Sequence, residues 1–291
     1  MLDLKLDREP APPKDAATIV LVRDGDPGLE VFCVERSRQS RFLGGAIVFP
    51  GGKLDPGDAD DAWLPLVTSA REPARAPERP FTRDAVHLRA LAIAACRETL
   101  EEAAMLPLDG AGARAVGQDD LFALRTRLAA DPGALRAFLE EKGARLDLAA
   151  LHPFARWITP VAESRRYDAR FFVAVAPPGQ TGAHDEHETM ASFWATPAET
   201  LRRWEEGSVQ VAPPTHRTIW LLASCPTTAD VLALARAARL DPICPRLVPQ
   251  GDTLALTLPS DPEHDEREAL VGGPSRYVLR GERWLPEDAP R

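Results

Sequence analysis

The pattern of apolar and polar positions predicts strands in the first part of the chain and a long helix after them. Three short apolar runs, each bounded by turn residues, predict strands at residues 15–23, 30–36 and 45–49, the last leading into a glycine turn. The apolar period then becomes helical, and the side chains on one side of that helix are Leu88, Leu91, Ala92 and Ala95. We therefore expect a helix over about residues 84–105.

The middle of the chain predicts further helices and strands. Two short helices are expected within residues 118–142, the second with Asp131 as N-cap and Pro132 at its first helical position. Apolar runs near residues 154–160, 169–176 and 192–195 then predict three more strands.

The last third of the chain begins with a helix signal. Thr196-Pro197-Ala198-Glu199 has the pattern of a capping box that opens a helix to about Glu206. Helices are expected near residues 215–224 and 227–239, and hairpin turns at Gln250-Gly251-Asp252 and Gly281-Glu282. These elements predict an α/β fold with an α+β segment at its C-terminal end.

One turn of the long helix carries a cluster of carboxylates, within Arg97-Glu98-Thr99-Leu100-Glu101-Glu102. At about 100° per residue, Glu98, Glu101 and Glu102 share one helix face. Like charges at this spacing destabilise a bare helix, and Arg97 alone cannot neutralise three carboxylates. Such hard oxygen ligands suit Mg²⁺ or Mn²⁺, although a run of this kind taken alone is more often a solvated helix face.

Residues upstream of the helix favour the metal interpretation, because Phe49-Pro50-Gly51-Gly52, Asp58 and the run from Arg97 to Met105 together resemble the signature of the Nudix hydrolases. Three positions depart from the family pattern. Asp58 replaces a glutamate, Thr99 takes an apolar place, and Ala104 stands where glycine is usual. The resemblance implies a Nudix-type α/β/α sandwich with a mixed sheet, a divalent metal, and hydrolysis of a diphosphate.

The signature is split by an insertion. Residues 59–96 separate Asp58 from Arg97, whereas the family spacing is much shorter. Because loop-closure entropy grows only with the logarithm of loop length, the insertion costs at most about 1.5 kcal/mol. A split signature of this kind is similar to that of the acyl-coenzyme A diphosphatase branch of the family. We predict a Nudix domain over residues 14–206, with insertions at about 59–83 and 106–150, and a C-terminal extension over residues 207–291 packed on it.

A second resemblance covers the segment before the glycines. Arg36-Ser37, Arg41, Gly45 and Phe49-Pro50-Gly51-Gly52 are spaced as in the coenzyme A signature of Nudix enzymes, although Phe32-Cys33-Val34 replaces its usual prelude. Arginine forks beside a glycine-rich turn are suited to phosphate groups, so Arg36, Arg41 and Gly51 are candidate substrate-binding residues. The alternative is a surface loop that contains arginines.

Two later segments contribute weaker candidates. Trp157-Ile158-Thr159-Pro160 and the stretch from Arg165 to Phe172 resemble a strand beside the substrate pocket of this branch. Arg165 and Arg166 either line a phosphate site or balance Glu163 and Asp168, and the sequence does not decide between these alternatives.

The acidic run His184-Asp185-Glu186-His187-Glu188 is the other weak candidate, and it favours a loop over a transition-metal site. In Nudix folds a carboxylate from a loop at this point often enters the site. The resemblance therefore makes Glu186 and Glu188 candidates for an extra metal ligand or base.

Composition excludes several classes of function. A net charge of −9 disfavours a nucleic-acid-binding surface, and no apolar run is long enough to span a membrane. The four cysteines show no close pair and the start lacks a secretory pattern, so we expect reduced thiols and a cytoplasmic location. The oligomeric state, with a homodimer among the alternatives, is not determined by the sequence.

The resemblance implies hydrolysis of coenzyme A or an acyl-coenzyme A to adenosine 3′,5′-bisphosphate and a phosphopantetheine. Glu98, Glu101, Glu102 and the Gly52 carbonyl are the expected metal ligands, Arg97 is expected to orient the carboxylates, and Glu98 is also a candidate base. Two alternatives stay open: another Nudix substrate such as ADP-ribose, a dinucleotide or a nucleotide sugar, and a non-catalytic sensor of a nucleotide metabolite.

Overall fold

The computed structural model describes residues 11–36, 45–75, 77–183 and 189–290. The strands are β1 (Lys14–Asp24), β2 (Leu29–Arg36), β3 (Ala46–Val48), β4 (Gly51–Lys53), β5 (Leu108–Asp109), β6 (Arg145–Leu146), β7 (His152–Ile158), β8 (Tyr167–Val175), β9 (Thr189–Ala195), β10 (Gln210–Val211), β11 (Arg246–Gln250), β12 (Thr253–Thr257), β13 (Arg276–Arg280) and β14 (Arg283–Glu287). The helices are α1 (Ala85–Ala103), α2 (Gln118–Ala130), α3 (Ala134–Lys142), α4 (Pro197–Glu205), α5 (Pro213–Leu222) and α6 (Thr228–Ala237).

A mixed sheet forms the centre of the molecule. Within the described ranges it has eight strands, with the order β10-β3-β2-β1-β8-β7, while β4 pairs with β1 and β9 with β2. Strand β1 lies in the middle, parallel to β8 and antiparallel to β2 and β4. The C-terminal strands β11 to β14 form a separate antiparallel sheet.

Both faces of the main sheet are covered, because successive side chains of β1 pack alternately into two different cores. Ile19 and Leu21 pack into the core that contains α1, α2 and α3. Val20 and Val22 pack into the opposite core, which contains residues of α5, α6 and the C-terminal sheet. A continuous strand buried on both faces is typical of the middle layer of an α/β/α sandwich, so the predicted fold class is confirmed.

Helix α1 carries the carboxylate cluster and begins and ends near the predicted residues. The Asp84 side chain caps it by accepting the His87 N–H at 2.7 Å. The helix ends at Ala104, which has a left-handed conformation with φ 50° and donates its N–H to the Leu100 carbonyl at 3.0 Å. This conformation explains why glycine is usual at this position of the signature.

The other predicted elements agree with the structure to within a few residues, apart from the glycine turn, which is described with the site, and the start of α3. Helix α3 begins at Ala134 with Gly133 as N-cap, so the prediction that Asp131 caps it is wrong. The Asp131 side chain instead accepts the Gly133 N–H at 2.8 Å in the turn before the helix. Both hairpins of the tail are confirmed, since β11 pairs with β12 and β13 with β14.

The domain boundary at residue 206 stays a prediction. The short strand β10, just beyond it, pairs with β3 of the main sheet. Across the described ranges, we find no helix that combines the length and the apolar character needed to cross a membrane.

Candidate active site

Strand β4 brings Gly51 and Gly52 against the central strand and helix α1. The prediction of a glycine turn is wrong here, because both residues are extended and pair with Thr18 and Ala17 of β1. A Cβ on Gly51 would lie 2.6 Å from the Ala17 carbonyl oxygen, and one on Gly52 would overlap the Glu98 carboxylate. Position 51 therefore needs glycine because the neighbouring backbone leaves no room for a Cβ, and the missing side chain at position 52 makes room for the Glu98 carboxylate directly against the strand.

The guanidinium of Arg97 is the centre of the acidic cluster. It donates to both carboxylate oxygens of Asp58, at 3.2 and 3.1 Å, and to Glu98 at 2.7 Å. It also donates to Glu101 at 3.2 Å and to the Lys53 carbonyl, the last residue of β4, at 3.0 Å. One arginine thus joins the helix to β4 and to the start of the insertion, as expected for an orienting residue.

Glu102, the third carboxylate, is fixed separately. Its side chain accepts the backbone N–H of Gly51 at 3.0 Å, and the residue is only 7% exposed. Glu98 and Glu102 therefore lie against β4, and Glu101 joins them through Arg97, so the structure brings together the three carboxylates and the glycines that the sequence singled out.

Burial shifts the pKa values of two carboxylates in this cluster. Desolvation raises the pKa of Glu98 above the usual value, although Arg97 acts in the opposite direction. The same two influences, with desolvation again the stronger, raise the pKa of Glu101. One guanidinium therefore does not compensate the buried negative charge on this face of α1.

The donor set matches a divalent cation in chemistry. Carboxylates packed on a strand that has no side chain at Gly52 supply hard oxygen atoms, which suit Mg²⁺ or Mn²⁺. In the ranges that the structure describes, no three His, Cys, Asp or Glu side chains already converge in a geometry that holds a metal. Glu98 and Glu101 instead accept hydrogen bonds from Arg97, and Glu102 accepts one from the Gly51 amide.

Asp58 lies in the site and occupies the first acidic position of the signature, but the sequence alone indicated no role for it. It is 3% exposed and lies in a short 3-10 helix, where its carboxylate also accepts the Asp55 N–H at 2.9 Å. Asp55-Pro56, followed by an acidic residue two positions on, is a capping signal that could have marked this carboxylate as buried and ordered.

The residues of the coenzyme A signature are only partly described. Arg36 ends β2, and its carbonyl accepts the Gly45 N–H at 3.1 Å, so Arg36 and Gly45 lie next to each other at the start of β3. Arg41, Glu186 and Glu188 lie outside the described residues. Their predicted roles stay predictions.

The positions of Arg165 and Arg166 bear on the two alternatives, that they line a phosphate site or that they balance nearby carboxylates. Arg166 donates to the carbonyls of Thr159 and Ala11, at 3.1 and 3.0 Å, and so holds the N-terminal segment against the β7–β8 connection. This arrangement favours a structural role for Arg166. Arg165 is exposed in the same connection.

A second cluster of arginines and carboxylates lies between β1, β7 and β8. Arg156 binds both oxygens of Asp168, at 2.9 and 2.7 Å, and Arg170 bridges Asp168 and Asp15 at 3.0 and 2.7 Å. Arg170 also donates to the Phe81 carbonyl, and Arg156 to the Pro80 carbonyl, at 3.1 and 2.7 Å. This cluster anchors the end of the insertion to the sheet just before α1 begins.

Comparisons with known proteins agree with this geometry. The family model for the NUDT19 Nudix domain matches residues 13–221. Acyl-coenzyme A diphosphatase NUDT19 of Gallus gallus is 26% identical over 89% of this chain and 82% of its own length. The Homo sapiens protein of the same name is also 26% identical, over 80% and 72% respectively.

A solved structure supports the same assignment. The crystal structure of a Nudix hydrolase from Alicyclobacillus acidocaldarius is 29% identical, with a TM-score of 0.61 over 77% of this chain and 96% of that one. The sheet, the helix that carries the acidic cluster and the matched family model together show that this chain belongs to the Nudix hydrolases, in the family of the NUDT19 Nudix domain.

Proposed function

We propose that this enzyme hydrolyses the diphosphate of coenzyme A or an acyl-coenzyme A. Relatives that align over most of both chains are named acyl-coenzyme A diphosphatases. The segment from Arg36 to Gly52 resembles the coenzyme A signature. Addition of water to one phosphorus would break the P–O–P bridge and give two phosphate monoesters, adenosine 3′,5′-bisphosphate and the (acyl)phosphopantetheine.

The proposal for the catalytic residues rests on the acidic side of α1 that lies beside β4. Helix α1 presents Glu98 and Glu102 to β4, and Glu101 lies beside them; Arg97 binds Glu98 and Glu101, and the Gly51 amide binds Glu102. This is an acidic surface beside backbone that a phosphate group can approach closely, since neither Gly51 nor Gly52 has a side chain.

Nudix hydrolases generally use divalent metal ions. We propose Mg²⁺ or Mn²⁺ for this one, with Glu98, Glu101, Glu102 and the Gly52 carbonyl as the residues that would hold it. Such an ion, when bound, lowers the pKa of water and neutralises charge that develops on the substrate oxygens.

The protein residues then have separate roles. Arg97 positions Glu98 and Glu101 through charge-assisted hydrogen bonds and does not contact the substrate. Glu98 is the candidate base that accepts a proton from the attacking water. Arg36, Arg41 and the backbone at Gly51 are the candidate contacts to the substrate phosphates, with Arg165 as a further candidate at the surface.

The proposal is tested by mass spectrometry of the products from a mixed set of substrates. Purified full chain is incubated with Mg²⁺ or Mn²⁺ and coenzyme A, an acyl-coenzyme A, ADP-ribose, a dinucleotide and a nucleotide sugar. We expect adenosine 3′,5′-bisphosphate as the main product, and we expect Arg41→Ala to reduce turnover of coenzyme A more than that of the other compounds. Turnover of ADP-ribose without turnover of coenzyme A would reject the substrate, and binding without turnover of any compound would indicate a sensor.

A further inference from the structure

The insertion that splits the signature begins directly after Asp58, next to the acidic cluster. Two short 3-10 helices, Pro56–Ala59 and Asp61–Leu66, form this part of the chain, and Asp58 lies in the first of them. Arg97, which binds Asp58, follows 39 residues further along the chain. A connection of that length does not by itself fix Asp58 against Arg97, so other contacts have to do so.

Ion pairs at the surface connect this segment to two helices. Arg89 of α1 donates to the Ala59 carbonyl at 3.3 Å and to the Asp61 carboxylate at 2.8 Å. On the other side, Arg136 of α3 lies 3.4 Å from the Asp60 carboxylate. Because Asp60 and Asp61 are both exposed, these pairs contribute little to stability. Buried contacts are therefore the stronger attachment of the segment.

Trp63 supplies such a buried contact. It is 4% exposed, and its ring packs in the core that contains α1, α2 and α3. Its indole N–H donates to the Gly57 carbonyl at 3.0 Å. That carbonyl belongs to the same planar peptide group as the Asp58 N–H. The hydrogen bond from Trp63 therefore restrains the backbone that carries Asp58.

The peptide group between Gly57 and Asp58 is held at both of its polar atoms. Its carbonyl accepts the Trp63 indole N–H, and its N–H donates to the Asp55 carbonyl at 3.0 Å. The Asp58 carboxylate in turn accepts two hydrogen bonds from Arg97, at 3.2 and 3.1 Å. A continuous series of hydrogen bonds thus runs from a core tryptophan of the insertion to the guanidinium that binds Glu98.

We propose that Trp63 is a positioning residue for the acidic cluster of α1. It fixes the backbone of Asp58, and Asp58 holds Arg97, which orients Glu98 and Glu101. The start of the insertion then replaces the short connection of the Nudix signature as the part of the chain that places Asp58. The inference rests on the proposed function for the statement that this cluster binds a metal, whereas the effect of Trp63 on Arg97 can be measured without metal or substrate.

The first test measures that effect in the metal-free full chain. Trp63→Phe keeps an aromatic ring in the core but removes the indole N–H. We expect hydrogen exchange of the Arg97 Nε–H, which donates to Asp58, to become about threefold faster or more, as followed by NMR. Arg97→Lys assigns the signal, because it removes it.

The matched control is Trp157→Phe, at a tryptophan that is also 4% exposed but lies in the core on the other side of the sheet. We expect this variant to leave exchange at Arg97 unchanged. If Trp63 only fills the core, Trp63→Phe will lower the unfolding temperature without a change at Arg97, or the two variants will accelerate exchange equally. Either result would overturn the proposal.

A second test asks whether Trp63 acts through Asp58. Isothermal titration calorimetry with Mn²⁺ compares Trp63→Phe in the wild-type and the Asp58→Asn backgrounds. We expect the affinity to fall about threefold or more in the wild-type background and to stay nearly unchanged in the other, because both substitutions act on one contact. Equal losses in both backgrounds would reject the route through Asp58. Absence of Mn²⁺ binding to the wild-type chain would reject the proposed metal site, while the exchange measurement would still decide the role of Trp63.

Thermal unfolding checks that each variant is folded. If Trp63→Phe does not fold, Asp60→Ala takes its place, because Asp60 is exposed and its carboxylate accepts the Ala62 N–H at 2.9 Å at the start of the turn that carries Trp63. Loss of this cap loosens that turn, so we expect faster exchange at Arg97 here too, with a smaller change than for Trp63→Phe. Unchanged exchange in Asp60→Ala would then contradict the proposal.

Discussion

Two buried clusters of arginines and carboxylates lie near opposite ends of α1, and they differ in charge balance. Around Arg97, one guanidinium binds three carboxylates, those of Asp58, Glu98 and Glu101. Around Asp15 and Asp168, the carboxylates are matched by Arg156, Arg170 and Arg83. The first cluster has an excess of negative charge, whereas the second has none.

The pKa shifts follow this difference. Burial raises the pKa of Glu98 and of Glu101, and Arg97 does not cancel that effect. Burial also acts to raise the pKa of Asp15, but the hydrogen bond from Arg83 and the charge of Arg170 outweigh it and lower that pKa overall. The balanced cluster is therefore complete as a structural anchor, while the unbalanced one is suited to an added cation.

The largest effect is expected from breaking the balanced cluster. Asp168→Asn leaves Arg156 and Arg170 without their shared carboxylate, and removal of one partner from a buried ion pair costs about 3–5 kcal/mol. Urea unfolding should show this loss in the free energy of unfolding. We expect kcat per folded molecule to stay within about twofold of wild type, and a large loss of kcat in a stable variant would contradict the division between the clusters.

The next effect concerns the unbalanced cluster. Glu102→Gln keeps an oxygen that can accept the Gly51 N–H but removes a charge, so we expect turnover to fall at least about a hundredfold, equivalent to about 2.7 kcal/mol. Steady-state kinetics at saturating metal measures this loss. The free energy of unfolding should change little. The matched control is Glu140→Gln on α3, an exposed glutamate, and an unaltered rate in Glu102→Gln would remove the metal site from the mechanism.

A smaller effect is expected at Asp58, which acts through Arg97. Asp58→Asn weakens the two-point contact that holds the guanidinium, and loss of such a supporting contact lowers activity by about tenfold or more. The readout that distinguishes positioning from general damage is the apparent metal affinity, which should fall while the unfolding midpoint shifts less than in Asp168→Asn, because Arg97 keeps Glu98 and Glu101 as partners. Asp58→Glu, which restores the family's residue, should recover most of the activity, and failure of both outcomes would argue against positioning.

The smallest effect is expected at the end of α1. Ala104 holds a left-handed conformation with φ 50°, which costs about 1 kcal/mol for a residue with a Cβ. Ala104→Gly should therefore raise the free energy of unfolding by about 0.5–1 kcal/mol and leave kcat unchanged. Thermal unfolding measures the gain, and a loss of stability would show that packing of the Ala104 methyl group outweighs the backbone strain.

Much of the site was predictable because it lies within one helical turn. The 3.6-residue period alone puts Glu98, Glu101 and Glu102 on one face, and the Asp84 cap is a local signal. The extended pairing of Gly51 and Gly52 was not predictable in the same way, since it depends on contact with Thr18 and Ala17 far along the chain. The role of Asp58 was hidden for a similar reason, because the insertion separates it from Arg97.

The roles of the other arginines depended even more on tertiary contacts. Nothing local distinguishes Arg166, which binds two carbonyls, from Arg170, which binds two carboxylates, or from Arg217, which binds no carboxylate among the described residues. A guanidinium has the same intrinsic chemistry at each position, so its surroundings decide what it does.

The sequence by itself determined the longer strands, the long helix, the shared face of its carboxylates and the resemblance to the Nudix family, because each depends on periodicity or on residues close together in the chain. Only the tertiary structure decided which carboxylates bind Arg97, why residue 51 must be glycine, how Gly52 makes room for Glu98, and where a buried arginine remains without a counter-ion. Those features depend on the distances and burial of groups that are remote in sequence, and pairing and desolvation energies are set by such distances.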